Sequence, residues 1–167
     1  AAYNMDAQVA VDNAVKKIFE INDRMSSQKP GSDVSNINKK AGKLPYKISS
    51  DTYFVMKKAL ACCEFTGGAY DITLKPVLDL WRAAAENGEA PIQGELERAL
   101  LLVNYKDVMM GINGFYAALK HRCQEIDIGS AVKGFAADKA AKMLWNDGIG
   151  SAIVEIGSNV SVVGRRP

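Results

Sequence analysis

Two short clusters hold residues whose types and spacing could do chemistry. One is Ile126-Asp127-Ile128-Gly129-Ser130-Ala131-Val132-Lys133-Gly134, running on to Asp138. The other is Thr66-Gly67-Gly68-Ala69-Tyr70-Asp71, followed by Pro76 and Leu80-Trp81. Each sets a carboxylate beside glycines, where backbone can come close to a ligand. In the first, a strand ending in Asp127 is expected to turn through Gly129-Ser130 into a helix starting near Ala131. The unpaired N–H groups and partial positive charge of a helix start suit a phosphate. Lys133, in the expected first turn, is unfavourable for the helix and makes sense against an anion. Asp127 can accept from a ligand N–H or hydroxyl, or hold a divalent cation with Ser130. A helix cap with a tight turn explains the same residues, so spacing alone leaves both readings open. Neither a Walker A loop nor G-x-G-x-x-G is present.

In the other cluster Tyr70 could stack on a planar ligand, and Asp71 could bind a polar edge or a metal-bound water. Helix termination followed by a polar loop accounts for these residues equally well. Asp71 and Asp127 are candidates to share one cation. Leu78, Leu80 and Trp81 read as core. His121, the single histidine, lies between Lys120 and Arg122 and reads as a surface residue.

The elements that must position these residues follow from periodicity and capping. Ala7, Val11, Ala14, Ile18, Ile21 and Met25 recur at three and four, predicting a helix over 6–25 with one buried face. A polar loop follows, with Pro30-Gly31 as its turn and a helical turn over 32–38. Ser49-Ser50-Asp51 starts a helix that runs to about Thr66, with Val55, Ala59, Cys62, Cys63 and Phe65 on its buried side. Gly67-Gly68 ends it. A surface loop is expected over 83–91, a short helix over 93–103, and a strand–turn–strand over 108–119 that turns through Gly111-Ile112-Asn113-Gly114. Glu125–Ile128 reads as a strand, 131–146 as a helix closed by Gly148 and Gly150, and 151–156 with 159–163 as a hairpin through Gly157-Ser158. Helices and strands intermix without a βαβ repeat, which indicates an α+β fold.

The chain has 167 residues, 48% of them hydrophobic, with a net charge of +2. That suits a single domain and gives no basis for nucleic acid as a partner. No apolar run approaches the roughly 20 residues that span a membrane. The sequence opens at Ala1, so removal of a leader or anchor is compatible with it. Cys62, Cys63 and Cys123 lack zinc or redox spacing and read as buried free thiols.

Read in order, Met25-Ser26, Pro30-Gly31-Ser32-Asp33-Val34-Ser35 and Ile37-Asn38 resemble the pattern M-S-x-[aromatic]-x-P-x-S-[DE]-[LIV]-S-x-[LIVF]-N. With the clusters at 66–71 and 127–138 and the run Val154-Glu155-Ile156-Gly157-Ser158-Asn159, this set resembles the ApbE-type FAD:protein FMN transferases. The resemblance implies an α+β flavin transferase domain, here a single partial one over 1–167. The family's opening strand and C-terminal half, with a His segment and an Asp-x-x-x-Thr magnesium site, are expected to lie outside the chain. It implies bacterial enzymes that bind FAD and, with Mg2+, move its FMN to a threonine or serine hydroxyl of an acceptor protein, releasing AMP. Acceptors are expected among subunits of membrane redox pumps. Some relatives instead hydrolyse FAD to FMN and AMP, and a noncatalytic FAD-binding module is a further reading. By motif position Ala69, Tyr70, Asp71, Asp127 and Lys133 would contact FAD, with Lys133 near the pyrophosphate. Gln28 stands where an aromatic usually packs on the flavin, and Ser130 would be a magnesium position through its carbonyl. Ser130 and Ser158 replace glycines and Glu155 replaces an asparagine. Membership implies an exported bacterial protein, periplasmic or membrane-anchored at the cell surface as a lipoprotein, with any lipid anchor outside this chain. The segment alone is expected to be inactive.

Overall fold

A computed structural model describes residues 5–111 and 114–165. Its elements are α1 (Met5–Met25), α2 (Asp33–Lys39), β1 (Tyr46–Lys47), α3 (Ser50–Phe65), α4 (Lys75–Asn87), α5 (Gln93–Leu100), β2 (Val108–Met110), β3 (Tyr116–Leu119), α6 (Gly129–Asn146), β4 (Ser151–Ile156) and β5 (Asn159–Gly164). The chain divides into two compact units, one from the stretch up to Arg24 and from Gly129 onward, the other Met25–Ile128.

The first unit packs α1 and the β4–β5 hairpin on α6. Its core joins Ala10 and Ala14 of α1 to Ala140 and Leu144 of α6, flanked by Ile18, Ile149, Ala152 and Val154. Alanines at these contacts let the helices pack closely, and of the face expected inside Ala14, Ile21 and Met25 are buried. Ala10 is buried, while Val11, expected inside, is 45% exposed. The hairpin pairs Ala152 with Val163 and Ile156 with Asn159. Gly157, at φ +61°, supplies the left-handed residue of its turn.

α6 begins at Gly129 rather than near Ala131. Gly129-Ser130 is therefore the helix's first turn, not a turn leading into it. Lys133 becomes the fifth helical residue, past the first turn in which it was expected.

In the second unit, capping sets the helix starts. Ser32 Oγ accepts from Ser35 N–H at 2.9 Å, and Ser49 Oγ accepts from Thr52 N–H at 3.1 Å. Asp33 ties the two starts together, since its Oδ2 accepts from Ser49 N–H and from Thr52 Oγ. The sheet runs β1-β3-β2, antiparallel throughout, with Tyr46 opposite Ala117 and Val108 opposite Leu119. Ile112 and Asn113 of the expected β2–β3 turn lie outside the described residues.

Five expectations fail here. Met56, Ala59 and Cys63 form the buried stripe of α3, so Cys62 points outward and Phe65 is 92% exposed. Cys123 is exposed as well, leaving Cys63 as the buried thiol, its pKa pushed up by burial. Residues 83–87 continue α4, which ends at Gly88 in the left-handed conformation. Only Val77 and Ala84 of that helix's apolar residues are buried, so Leu78 and Trp81 are exposed and Leu80 is half-buried. Finally, Glu125–Ile128 is no strand: it has no ladder partner, although Ile126 and Ile128 are fully buried.

Candidate functional site

Gly67 and Gly68, at φ +61° and +88°, reverse the chain after α3. Gly68 N–H donates to Cys63 C=O at 2.8 Å, and Tyr70 N–H donates to Thr66 Oγ at 3.1 Å. Ala69 is left exposed and Tyr70 half-buried. Asp71 is then engaged by the protein itself. Its Oδ1 accepts from Thr73 N–H (2.8 Å) and Thr73 Oγ (2.6 Å), and its Oδ2 accepts from Tyr105 N–H (2.9 Å). Thr73 Oγ in turn accepts from Asn104 N–H at 2.8 Å. Asp71 thus knits the loop after α3 to the turn at residues 104–107, and a ligand there would meet a carboxylate already accepting three hydrogen bonds.

Asp127 lies beside the same loop, its N–H donating to Ile72 C=O at 2.8 Å. Ser27 Oγ donates to Asp127 Oδ2 at 2.7 Å. The fold therefore brings together the segments bearing Asp71, Asp127 and Gln28, the neighbour of Ser27. Gln28 is exposed and lines a cavity of about 210 Å³ with Ser27, Ser35, Asn38, Lys75 and Glu125.

Lys75 is nearly buried in that cavity's wall and donates to Asp79 and, at 2.6 Å, to Glu125. Burial alone would lower its pKa, but the hydrogen bonds it donates to Asp79 and Glu125 outweigh that and the pKa is raised. The sign follows from linkage. The ion pairs stabilise the fold while both acids are ionised and the pH is below the ordinary lysine range, and they lose that contribution as pH rises through the folded-state value of Lys75. Because both acids are over a third exposed, we expect Lys75→Met to lower stability by only about 1 kcal/mol at neutral pH. The gap to the unaltered chain should shrink in strongly alkaline solution, as urea midpoints at the two pH values would show.

In the other unit, Ser130 and Lys133 are exposed on the first and second turns of α6. A Cβ at Gly157 would lie 3.8 Å from Lys133 Nζ, so the lysine side chain extends over the β4–β5 turn. A Cβ at Gly134 would press within 3.3 Å of Asn159 Oδ1. A side chain at 134 would therefore crowd the Asn159 amide. Ser161 Oγ bonds Asp138, which places that acid against the hairpin.

Among the described residues no three His, Cys, Asp or Glu side chains are grouped as metal ligands. Sequence reasoning missed Ser27, Thr73 and Lys75, and it quoted Asn38 without assigning it a role. Lys75 carried a signal, a lysine directly before the proline that opens α4. Thr73 carried another, standing two residues after an aspartate as in an Asx turn.

Comparison with known proteins now bears on this arrangement. The family model described as "ApbE family" matches residues 2–167. The chain is 25% identical to a FAD:protein FMN transferase of Treponema pallidum, over 98% of this chain and 48% of the relative. It is 28% identical to one of Haemophilus influenzae, over 87% of this chain and 44% of the relative. Among solved structures it is similar to an ApbE protein from Thermotoga maritima, with a TM-score of 0.88 at 25% identity over 99% of this chain and 54% of that one. It is also similar to the flavin transferase ApbE from Vibrio cholerae, with a TM-score of 0.81 at 25% identity over 99% and 52%. The chain spans about half the length of the curated relatives it matches. The α+β architecture expected from the sequence is the one these structures share.

Proposed function

This chain belongs to the ApbE family, and from that premise we propose that its parent protein transfers FMN from FAD to a threonine or serine hydroxyl of an acceptor protein. The observation that carries the reading is the family match over residues 2–167. Relatives bearing the name FAD:protein FMN transferase support it. In this reading Ala69, Tyr70, Asp71 and Asp127 contact FAD, Gln28 lies toward the flavin, Lys133 meets the pyrophosphate, and Ser130 offers its carbonyl to Mg2+. The acceptor oxygen attacks the FMN phosphorus, the pyrophosphate P–O bond breaks, and AMP leaves as the hydroxyl proton is lost. Mg2+, when bound, supplies neutralising charge for the pyrophosphate. Lys133 adds a fixed positive charge and Asp127 an acceptor for a ligand donor group. A redox-pump subunit as acceptor, an exported location and a lipid anchor outside this chain are further parts of the proposal.

The test is incubation with FAD, Mg2+ and an acceptor protein, read by in-gel flavin fluorescence and by chromatography of AMP and FMN. A fluorescent acceptor band with matching AMP supports transfer. Free FMN and AMP without a labelled band would make the enzyme an FAD pyrophosphatase. FAD bound but unconverted would leave a binding module.

A further inference from the structure

Glu125, Ile126 and Asp127 form no regular element and belong to no sheet. Instead, side chains from three distant places hold three consecutive residues. Lys75 Nζ donates to Glu125 Oε2 at 2.6 Å. Asn38 Nδ2 donates to Ile126 C=O at 3.0 Å, and Ile126 N–H donates to Asn38 Oδ1 at 2.9 Å, across 88 residues of sequence. Ser27 Oγ donates to Asp127 Oδ2 at 2.7 Å, across 100 residues. Asparagine is suited to its task, because its planar amide carries a donor and an acceptor side by side and so reproduces a two-bond strand pairing with one side chain. Aspartate would put an oxygen against the Ile126 carbonyl.

Burial of Ile126 and Ile128 already anchors the segment's depth. Those apolar contacts are non-directional and set neither the peptide's rotation nor the Asp127 side-chain angle. The polar contacts do both: Asn38 pins the N–H and C=O of Ile126, Ile72 C=O holds the Asp127 N–H, and the Ser27 hydroxyl bonds the Asp127 carboxylate. We infer that Ser27 and Asn38 are positioning residues, holding the Asp127 carboxylate in the orientation that receives its ligand. This rests on the flavin reading of Asp127 given above. Ordering a carboxylate before the ligand arrives removes a cost otherwise met on binding.

The experiment combines FAD titration in the presence of Mg2+ with amide hydrogen exchange on the full chain. Ser27→Ala should weaken FAD binding about tenfold, because the carboxylate must then be ordered on binding, while loss of the hydrogen bond lowers the unfolding midpoint by roughly 3–6 °C without loss of the folded state. Ser27→Thr, which keeps the hydroxyl, should recover most of the affinity. In an Asp127→Ala background, Ser27→Ala should have no further effect, because its action runs through that carboxylate. Asn38→Ala should speed exchange at the Ile126 amide at least tenfold while the α3 amides keep their protection.

Equal effects of Ser27→Ala with and without Asp127 would overturn the inference and leave the flavin reading standing. So would unchanged FAD affinity in Ser27→Ala, or unchanged exchange at Ile126 in Asn38→Ala. Failure of the unaltered chain to bind FAD would overturn the flavin reading itself.

Discussion

Asp71→Ala should lower the stability of this chain by about 3–5 kcal/mol. Three donors, Thr73 N–H, Thr73 Oγ–H and Tyr105 N–H, converge on the carboxylate. Hydrogen bonds to a charged group contribute about 1.5–3 kcal/mol each, and sharing one acceptor makes them less than additive. The loss spreads further, because Thr73 is fully buried and its hydroxyl also receives Asn104 N–H. Without Asp71 the Thr73 hydroxyl keeps its bond from Asn104 but has nothing to donate to, inside a closed structure. Asp71→Asn should cost about half as much. The amide oxygen can still serve Thr73, whereas the NH2 group cannot accept from Tyr105. Urea unfolding of the three proteins would check this, and an unchanged midpoint for Asp71→Ala would contradict it. Loss of FAD binding in Asp71→Ala is therefore a poor measure of ligand contact, since the loop it organises goes with it.

Lys133→Ala should behave in the opposite way. The side chain is exposed on the second turn of α6 and contributes nothing to the buried residues of that helix. Alanine is at least as good a helix former. The unfolding midpoint should stay within about 0.5 kcal/mol of the original in free-energy terms. FAD affinity should fall about ten- to a hundredfold, the size expected when one charge-assisted contact to a phosphate is lost. Lys133→Arg should keep the charge and most of the affinity. Isothermal titration with Mg2+ present reads both variants. Equal affinity in Lys133→Ala and the unaltered chain would remove Lys133 from the pyrophosphate.

How much of this was legible in the sequence depends on which physics set each feature. Ser49 was readable at a helix start because capping is local, needing only an oxygen beside free N–H groups. The hairpin through Gly157 was readable for the same reason. Faces were less legible. The apolar spacing of α1 admits Val11 and Ala10 alike, and the close contact with Ala140 decides for Ala10. Phe65 fell on the face expected inside and Trp81 looked like core by its residue type, yet the buried stripes of α3 and α4 pass them by.

At the candidate site the motif residues could be found but their local roles could not. Asp71 looked free to meet a ligand, and only the fold shows Tyr105, 34 residues away, donating to it. Glu125–Ile128 looked like a strand because its alternation is that of one. What pairs with it is a side-chain amide 88 residues away, which no local pattern can announce.

The most direct test of the account is titration of the unaltered chain with FAD in the presence of Mg2+, followed by the same titration of Lys133→Ala. The account predicts saturable binding with one FAD per chain, weakened at least tenfold in the variant without loss of folded structure. A folded chain that takes up no FAD would contradict it.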